Sequence, residues 1–475
     1  MATSLAHDAG GEVHLDAEEL SALSMQFRGA VLSPDDPSYD AVRGVQNLAI
    51  DRHPGLIIRC SGEADVIDGV NLARERGYAL AVRSGGHHVG GHGSVDGGLV
   101  LDLRNMNGVW VDPANRTVRV QGGATWGQVD RETQVFGLAV PGGVVSTTGV
   151  GGLTLGGGIG WLHRRWGLAC DNLVSATIVL ASGELVTASE DQNPDLFWAI
   201  RGGGGNFGVA VDLTFHAHPV GPDVALATVF HPIEAGAEIV PAWRDLALSV
   251  GDEVTTRALY WSMPPVDELP PPVQGRDVMI VAALWAGDRS EGQEVIDEFT
   301  RLGDPLFDMS GFIPTYRAFQ AGFDALTENL YSYWKSLYLD ELSDEAIAYV
   351  HDRALDRPDP AVLIHMPIMG GATARAAAED TAFGDRNAPF MLSFDGGTRD
   401  PAAFGKVRDW VRESVEGARA LQGARGAYLN FSADDSTDRR VIEQQYGGNL
   451  ARLQAVKRMY DPGNLFRVNN NIEPA

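Results

Sequence analysis

The sequence predicts an α+β protein in two unlike parts, a glycine-rich α/β portion followed by a separate α+β portion. Three observations predict it. Of 57 glycines in 475 residues, the excess is gathered at 85–98, 142–160 and 202–208. Before residue 220 the apolar runs are short and alternate between strand-like and helical periods. Beyond it the glycine clusters stop, and strand sets at Ala225–Phe230 and Val278–Trp285 are followed by helical runs near 292–302, 343–355 and 402–417. The boundaries read from these shifts are an arm at 1–49, a first domain at 50–220, a second at 221–425 and a closing segment at 426–475.

Taken in order, Leu56–Arg59 reads as a buried strand. Ser61 is placed to cap a helix whose apolar face is Ala64, Ile67, Val70 and Leu72 and which stops at Gly77. Leu80–Val82 is the next strand, and Arg83 to Asp102 follows with three histidines and seven glycines. Glycines let a backbone turn with positive φ and approach closely, so such a loop is suited to surrounding a phosphate or pyrophosphate. Leu99–Leu103, Gly108–Val111 and Thr117–Gln121 alternate as strands, and Thr125–Phe136 reads as a helix. Between Pro141 and Gly160 lies a second cluster, too rich in glycine for a regular helix interior and read as another backbone cradle. Ile178–Leu180 and Glu184–Val186 form a hairpin. Gly203 to Gly208 matches G-x-G-x-x-G, but Val209, Val211, Leu213 and Phe215 then alternate as a strand. A dinucleotide fingerprint requires a helix there, so this cluster is read as a tight turn beside another ligand.

The composition narrows the function classes. A net charge of −26 argues against nucleic acid or an anionic membrane as partner. No stretch of eighteen apolar residues and no secretory leader is readable, and two cysteines make no disulfide framework, so a cytoplasmic protein is expected. His88 and His92 have i,i+4 spacing, but their glycine-rich setting disfavours the helix a metal pair needs, and no metal is expected. No G-x-S-x-G hydrolase signature occurs.

Arg83-Ser84-Gly85-Gly86-His87, Thr148-Gly149-Val150-Gly151-Gly152, Gly156 to Gly160, Gly167-Leu168 with Asp171-Asn172-Leu173, Arg201 to Gly208 and Tyr460 to Phe466 together carry a resemblance. The chain resembles FAD-linked oxidoreductases of the vanillyl-alcohol-oxidase superfamily, in particular the berberine-bridge-enzyme-like group. The resemblance implies a PCMH-type FAD-binding domain of two α/β subdomains, an α+β substrate domain with an antiparallel sheet, and a tail that returns to the FAD domain. It implies FAD contacts at Arg83, Ser84, Gly85, Gly86, His87, His88 and Gly91. Further contacts are implied at Thr147, Thr148, Gly149, Gly151, Gly152, Gly157, Gly158 and Gly160. Asp171, Asn172, Leu173, Gly208, Val209, Asn469 and Asn471 complete the implied set.

The same resemblance implies an 8α-histidyl bond from His87 to the flavin. Doubly linked relatives carry a cysteine where this chain has Val145, and Cys170 does not match that place, so a single link is expected. Proton abstraction in many relatives falls to a tyrosine of a Tyr-x-Asn-Tyr motif. Here that motif reads Tyr428-Leu429-Asn430-Phe431, with Tyr460 and Lys335 as further candidates. The expected reaction is oxidation of a C–OH or C–N centre of a small organic substrate, with O2 as acceptor. Thr148 lies where relatives tune oxygen access, so a dehydrogenase stays open. So do non-redox cyclisation or elimination, and a carrier holding FAD structurally.

Overall fold

The computed structural model describes residues 3–6, 12–221, 223–433 and 439–475. The acidic pair Asp434-Asp435, which reads as a solvated face, lies outside the described residues. Among the described residues no helix is long and apolar enough to cross a membrane.

The first sheet runs Ala30–Leu32, Leu56–Arg59, Leu99–Asp102, Leu80–Arg83. Its last three strands are parallel, joined through the helix Glu63–Arg76. Both faces are covered, which is why these strands read as unbroken apolar runs such as Leu56-Ile57-Ile58. The arm supplies more than packing, since Ala30–Leu32 pairs antiparallel with Leu56–Arg59 as an edge strand. Gly77 closes the helix in the left-handed region, at φ 65°. Ser61 does not cap its start. Gly62 is the N-cap, and the Asp65 carboxylate instead accepts the backbone N–H groups of Arg28, Gly29 and Ser61. A carboxylate one turn inside the helix thereby ties the arm to the sheet.

The second sheet is antiparallel, in the order Leu185–Ser189, Leu173–Val179, Val209–His216, Thr117–Gln121, Val109–Asp112. The helix Trp126–Thr133 packs beside it behind a capping box of Thr125 and Gln128. In the second glycine cluster the structure departs from expectation, because Val150–Leu155 is a short helix with Gly149 at its N-cap. Two interior glycines cost about 1 kcal/mol each in helix propensity. What offsets this at Gly151 is a close approach: a Cβ there would stand 2.9 Å from the Gly122 carbonyl.

The second half builds a nine-stranded sheet whose main path is Phe307–Asp308, Val224–Pro232, Asp277–Trp285, Val254–Ser262, Leu363–Pro367, Phe390–Thr398, Tyr331–Leu339, Ala424–Arg425. Its pairings are antiparallel. One face is buried by helices, Trp243 and Trp410 packing with Val281, Leu337 and Phe394. Period-two alternation turns the other face toward the glycine-rich domain.

The tail then comes back. Helix Leu450–Tyr460 inserts Leu453 and Val456 into the core of the second sheet. Lys457 and Asp461, both fully buried, pair at 2.7 Å. Lys457 also donates to the carbonyls of Asn206 and Phe466, and Asp461 accepts the N–H groups of Leu465 and Phe466. A buried pair with its remaining valences filled fixes geometry. Here it locks the 203–208 turn to the tail.

Candidate active site

A cavity of about 590 Å³ lies between the glycine loops and the open face of the large sheet. Its first wall is backbone. A Cβ placed on Gly149 would come within 2.6 Å of Ser84 Oγ and collide with the backbone of Gly85, so these loops need glycine merely to pass one another. Gly152 and Gly205 differ: both line the cavity, and a Cβ on either meets no protein atom within 4 Å. The described protein atoms do not require those two to be bare, and their bareness leaves room in the cavity. Asn469 and Asn470 line the same cavity with buried Oδ1 atoms that have no partner among the described residues. A wall made largely of glycine backbone, edged by unanswered acceptors, fits a dinucleotide with its pyrophosphate and its hydroxyl and ring N–H donors.

His87 stands on this wall, half-buried and 2.9 Å from Thr147 Oγ1 through Nε2. Burial pushes its imidazole down to about 4, with Asp324 pulling the other way, so the ring is neutral and keeps a lone pair at neutral pH. Ser84, Gly85, Gly86, His88, Thr148, Gly149, Gly151, Gly152, Gly208, Val209 and Asn469 also line the cavity. His88 stacks on His92 at 3.9 Å and accepts the Gly90 N–H on Nδ1.

The remaining expected contacts stand behind the wall. Arg83 is fully buried and donates to the carbonyls of Val42, Arg43 and Gly93, shaping the loop from within. Gly91 packs on Ile50. Thr147 reaches the cavity only through His87. Gly157 and Gly158, at φ 115° and 91°, turn the chain toward Gly160, whose missing Cβ admits the Gly142 carbonyl. Asp171 pairs with Arg386, Asn172 donates to the carbonyls of Trp166 and Leu168, and Leu173 is core. Asn471 lines a neighbouring, smaller hollow.

None of the three candidate proton acceptors lines the cavity. The oxygen of Tyr428 accepts the N–H groups of Gly158 and Ile159 and the Asn430 amide, at 2.9–3.1 Å. Burial outweighs those donors and pushes the phenol up to about 12, so it keeps its proton and braces the glycine turn. Tyr460 sits half-buried on the outer side, its oxygen 3.5 Å from Asn193. Lys335 is carried away by strand alternation: Trp334 faces the cavity, while Lys335 lies on the helix-packed side near the Tyr333 ring.

A pair that the sequence reading passed over does face the cavity. His365 and Asp395 come from adjacent strands, with Nε2 3.1 Å from Oδ2, and Ser393 Oγ donates to the other carboxylate oxygen at 2.5 Å. Trp334 and Phe431 close around them edge to face, their rings 5.9 Å apart. The available signal is polar residues on the inward phase of adjacent strands, His365 in Leu363-Ile364-His365 and Ser393 with Asp395 in Ser393-Phe394-Asp395.

Comparison with known proteins agrees with this geometry. Residues 54–189 match the FAD binding domain family, and residues 427–473 the berberine and berberine-like family. The chain is 30% identical to the uncharacterized FAD-linked oxidoreductase YgaK of Bacillus subtilis, over 94% of this chain and 98% of that one. It is also 30% identical to (R)-6-hydroxynicotine oxidase of Paenarthrobacter nicotinovorans, over 95% and 98%. Xylooligosaccharide oxidase from Myceliophthora thermophila, solved with xylobiose, superposes with a TM-score of 0.82 at 26% identity, over 96% and 99%. With the cradle, the two-sheet FAD domain and the returning tail in place, the chain belongs to the berberine-bridge-enzyme-like FAD-linked oxidoreductases.

Proposed function

We propose that this oxidoreductase oxidises a C–OH or C–N centre of a small organic molecule, with FAD joined to His87 by a single bond and O2 as acceptor. The observation that carries the reading is the His365–Asp395 pair opening onto the same cavity as His87. FAD held along the glycine wall supplies the hydride acceptor. Asp395, oriented by Ser393, takes the hydroxyl or amine proton or holds His365 in position to take it. Trp334 and Phe431 exclude water from that proton. At His87, the neutral imidazole is the form able to bond carbon. Val145 lines the cavity but offers no nucleophile. Cys170 is fully buried, and desolvation followed by the Asp171 charge holds its thiol well above the ordinary range. The names of the two oxidases above, one acting on a nicotine and one on an oligosaccharide, are consistent with C–N and C–OH centres respectively.

Denaturation in acid followed by gel filtration tests the link. Wild type and Cys170→Ala are expected to carry flavin fluorescence with the protein peak, and His87→Ala to release it. Release from wild type, or retention in His87→Ala, would remove the histidyl bond. Photoreduction without air followed by aeration tests the acceptor, and a flavin that stays bleached in air would point to a dehydrogenase.

A further inference from the structure

Arg257 is a buried cation of the cavity for which no ion pair is formed among the described residues. Alternation along Val254–Ser262 sends Arg257, Leu259 and Trp261 into the cavity, while Ala258 and Tyr260 join the helix-packed core. Arg257 is 3% exposed. Its guanidinium lies over the Trp161 ring at 4.0 Å, a stacking that fixes its plane and leaves its N–H edge free to bond. Nε and Nη2 are buried and reach no acceptor among the described residues. Asp395 is the carboxylate that most favours the charge, yet its oxygens are turned to His365 and Ser393. Desolvation lowers Arg257 only to about 10, so it remains a cation at neutral pH. A buried cation with free donors is costly unless an anion meets it during function.

The surroundings say what kind of anion. Leu226, Phe230, Leu259, Trp261, Met263 and Ile280 line the same cavity from the sheet side, with Thr228, His365 and Asp395 as polar neighbours. A sugar ring would leave hydroxyls unpaired against such a surface, whereas a fused aromatic ring buries there without loss.

We infer that the substrate is an aromatic or fused-ring molecule bearing a carboxylate or similarly ionised oxygen, which Arg257 grips through its N–H edge while the rings lie against the apolar sheet. The inference rests on the cavity being the substrate chamber of the proposed oxidase. Arg257 acts in it as a specificity residue: the ionised oxygen sets the molecule's orientation, and His365–Asp395 meets the centre to be oxidised.

The test uses the flavin-loaded protein and two probes of one shape, 2-naphthoate and neutral 2-naphthamide. Binding is followed by titration calorimetry and by the change in flavin absorbance. Wild type is expected to bind naphthoate about tenfold or more tightly than naphthamide, as a charge-assisted contact implies. Arg257→Gln should bring naphthoate to the level of naphthamide and leave naphthamide within about twofold of wild type. Equal binding of both probes by wild type would overturn the inference, and that comparison does not depend on whether the variant folds. So would a variant that keeps the naphthoate preference, or one that alters only the flavin spectrum, since the guanidinium would then serve the cofactor. A naphthoate preference in a protein whose flavin no substrate bleaches would keep the anion site and remove the oxidase reading, so the two fail separately.

Discussion

The wall formed by Ser84–His87, Gly149–Gly152 and Gly204–Gly208 meets the cavity with backbone, whereas the sheet opposite meets it with Trp261, Trp334, His365 and Asp395. On the first wall what matters is the absence of an atom at a fixed place. On the second it is the phase of a strand, and any side chain of tolerable size on that phase becomes part of the site. A backbone wall therefore holds one kind of ligand and tolerates little change. A side-chain wall leaves the fold indifferent to what it binds. The same contrast orders what substitutions should do.

The largest effects belong to the glycine wall, and two neighbours separate its two uses. In Gly149→Val the new side chain meets the backbone of Gly85, which the parallel sheet holds in place. We expect little soluble, flavin-free protein and a collapsed thermal transition, since overpacking against backbone has no soft neighbour to yield. Gly152→Val adds the same atoms where no protein atom stands. That variant should keep the far-ultraviolet dichroism and melting of flavin-free wild type, yet purify with little flavin. Equal flavin loading in Gly152→Val and wild type would mean that the cavity's bare edge is not the cofactor's seat.

Across the cavity, Asp395→Asn should leave fold and flavin content unchanged, because the amide still accepts from Ser393 and still lies beside His365. Turnover should fall by about 10²–10⁴, the usual worth of a positioned proton acceptor. Lys335→Met and Tyr460→Phe, on side chains that do not line the cavity, should turn over within about threefold of wild type. Stopped-flow reduction of the flavin reads the step directly. An unchanged rate in Asp395→Asn would return the proton to another group and erase the division of labour between the walls.

The contrast also explains what was legible. The backbone wall was readable because its demand is local: Gly85-Gly86-His87 and Gly149-Val150-Gly151-Gly152 announce themselves within five residues. The large antiparallel sheet that the family resemblance implies is present, but its strands Val254–Ser262, Tyr331–Leu339, Leu363–Pro367 and Phe390–Thr398 are not legible as strands in the sequence. They are covered on both faces, so their apolar alternation is weak, and Arg257 and His365 look like isolated polar residues. Which of them share a face depends on pairings between strands more than a hundred residues apart, such as Tyr260 with Ile364. Lys335 lies off the cavity for the same reason, one residue out of phase with Trp334. Several of the motif residues carried over from the resemblance, Arg83 and Asp171 among them, turned out to hold the loops from behind. A motif records what must be kept, and does not distinguish touching a ligand from bracing what touches it.

Tyr428 is the residue on which that distinction is sharpest, and its removal should cost some stability and little rate. Its oxygen is the acceptor for the N–H groups of Gly158 and Ile159, donors on a turn that runs through positive φ. In Tyr428→Phe these two donors and the Asn430 amide lose their acceptor inside a buried cluster. Unsatisfied donors cost about 1–3 kcal/mol, a loss of a few degrees in Tm for a chain of this size. If the phenol is only a brace, flavin reduction should stay within about threefold of wild type once the variant is assayed below its transition. A base would behave oppositely, losing orders of magnitude in rate with stability nearly intact. The fully buried phenol, held up to about 12, predicts the first pattern. Melting and stopped-flow reduction on the same preparation of Tyr428→Phe distinguish the two, because a brace moves the first measurement and a base the second.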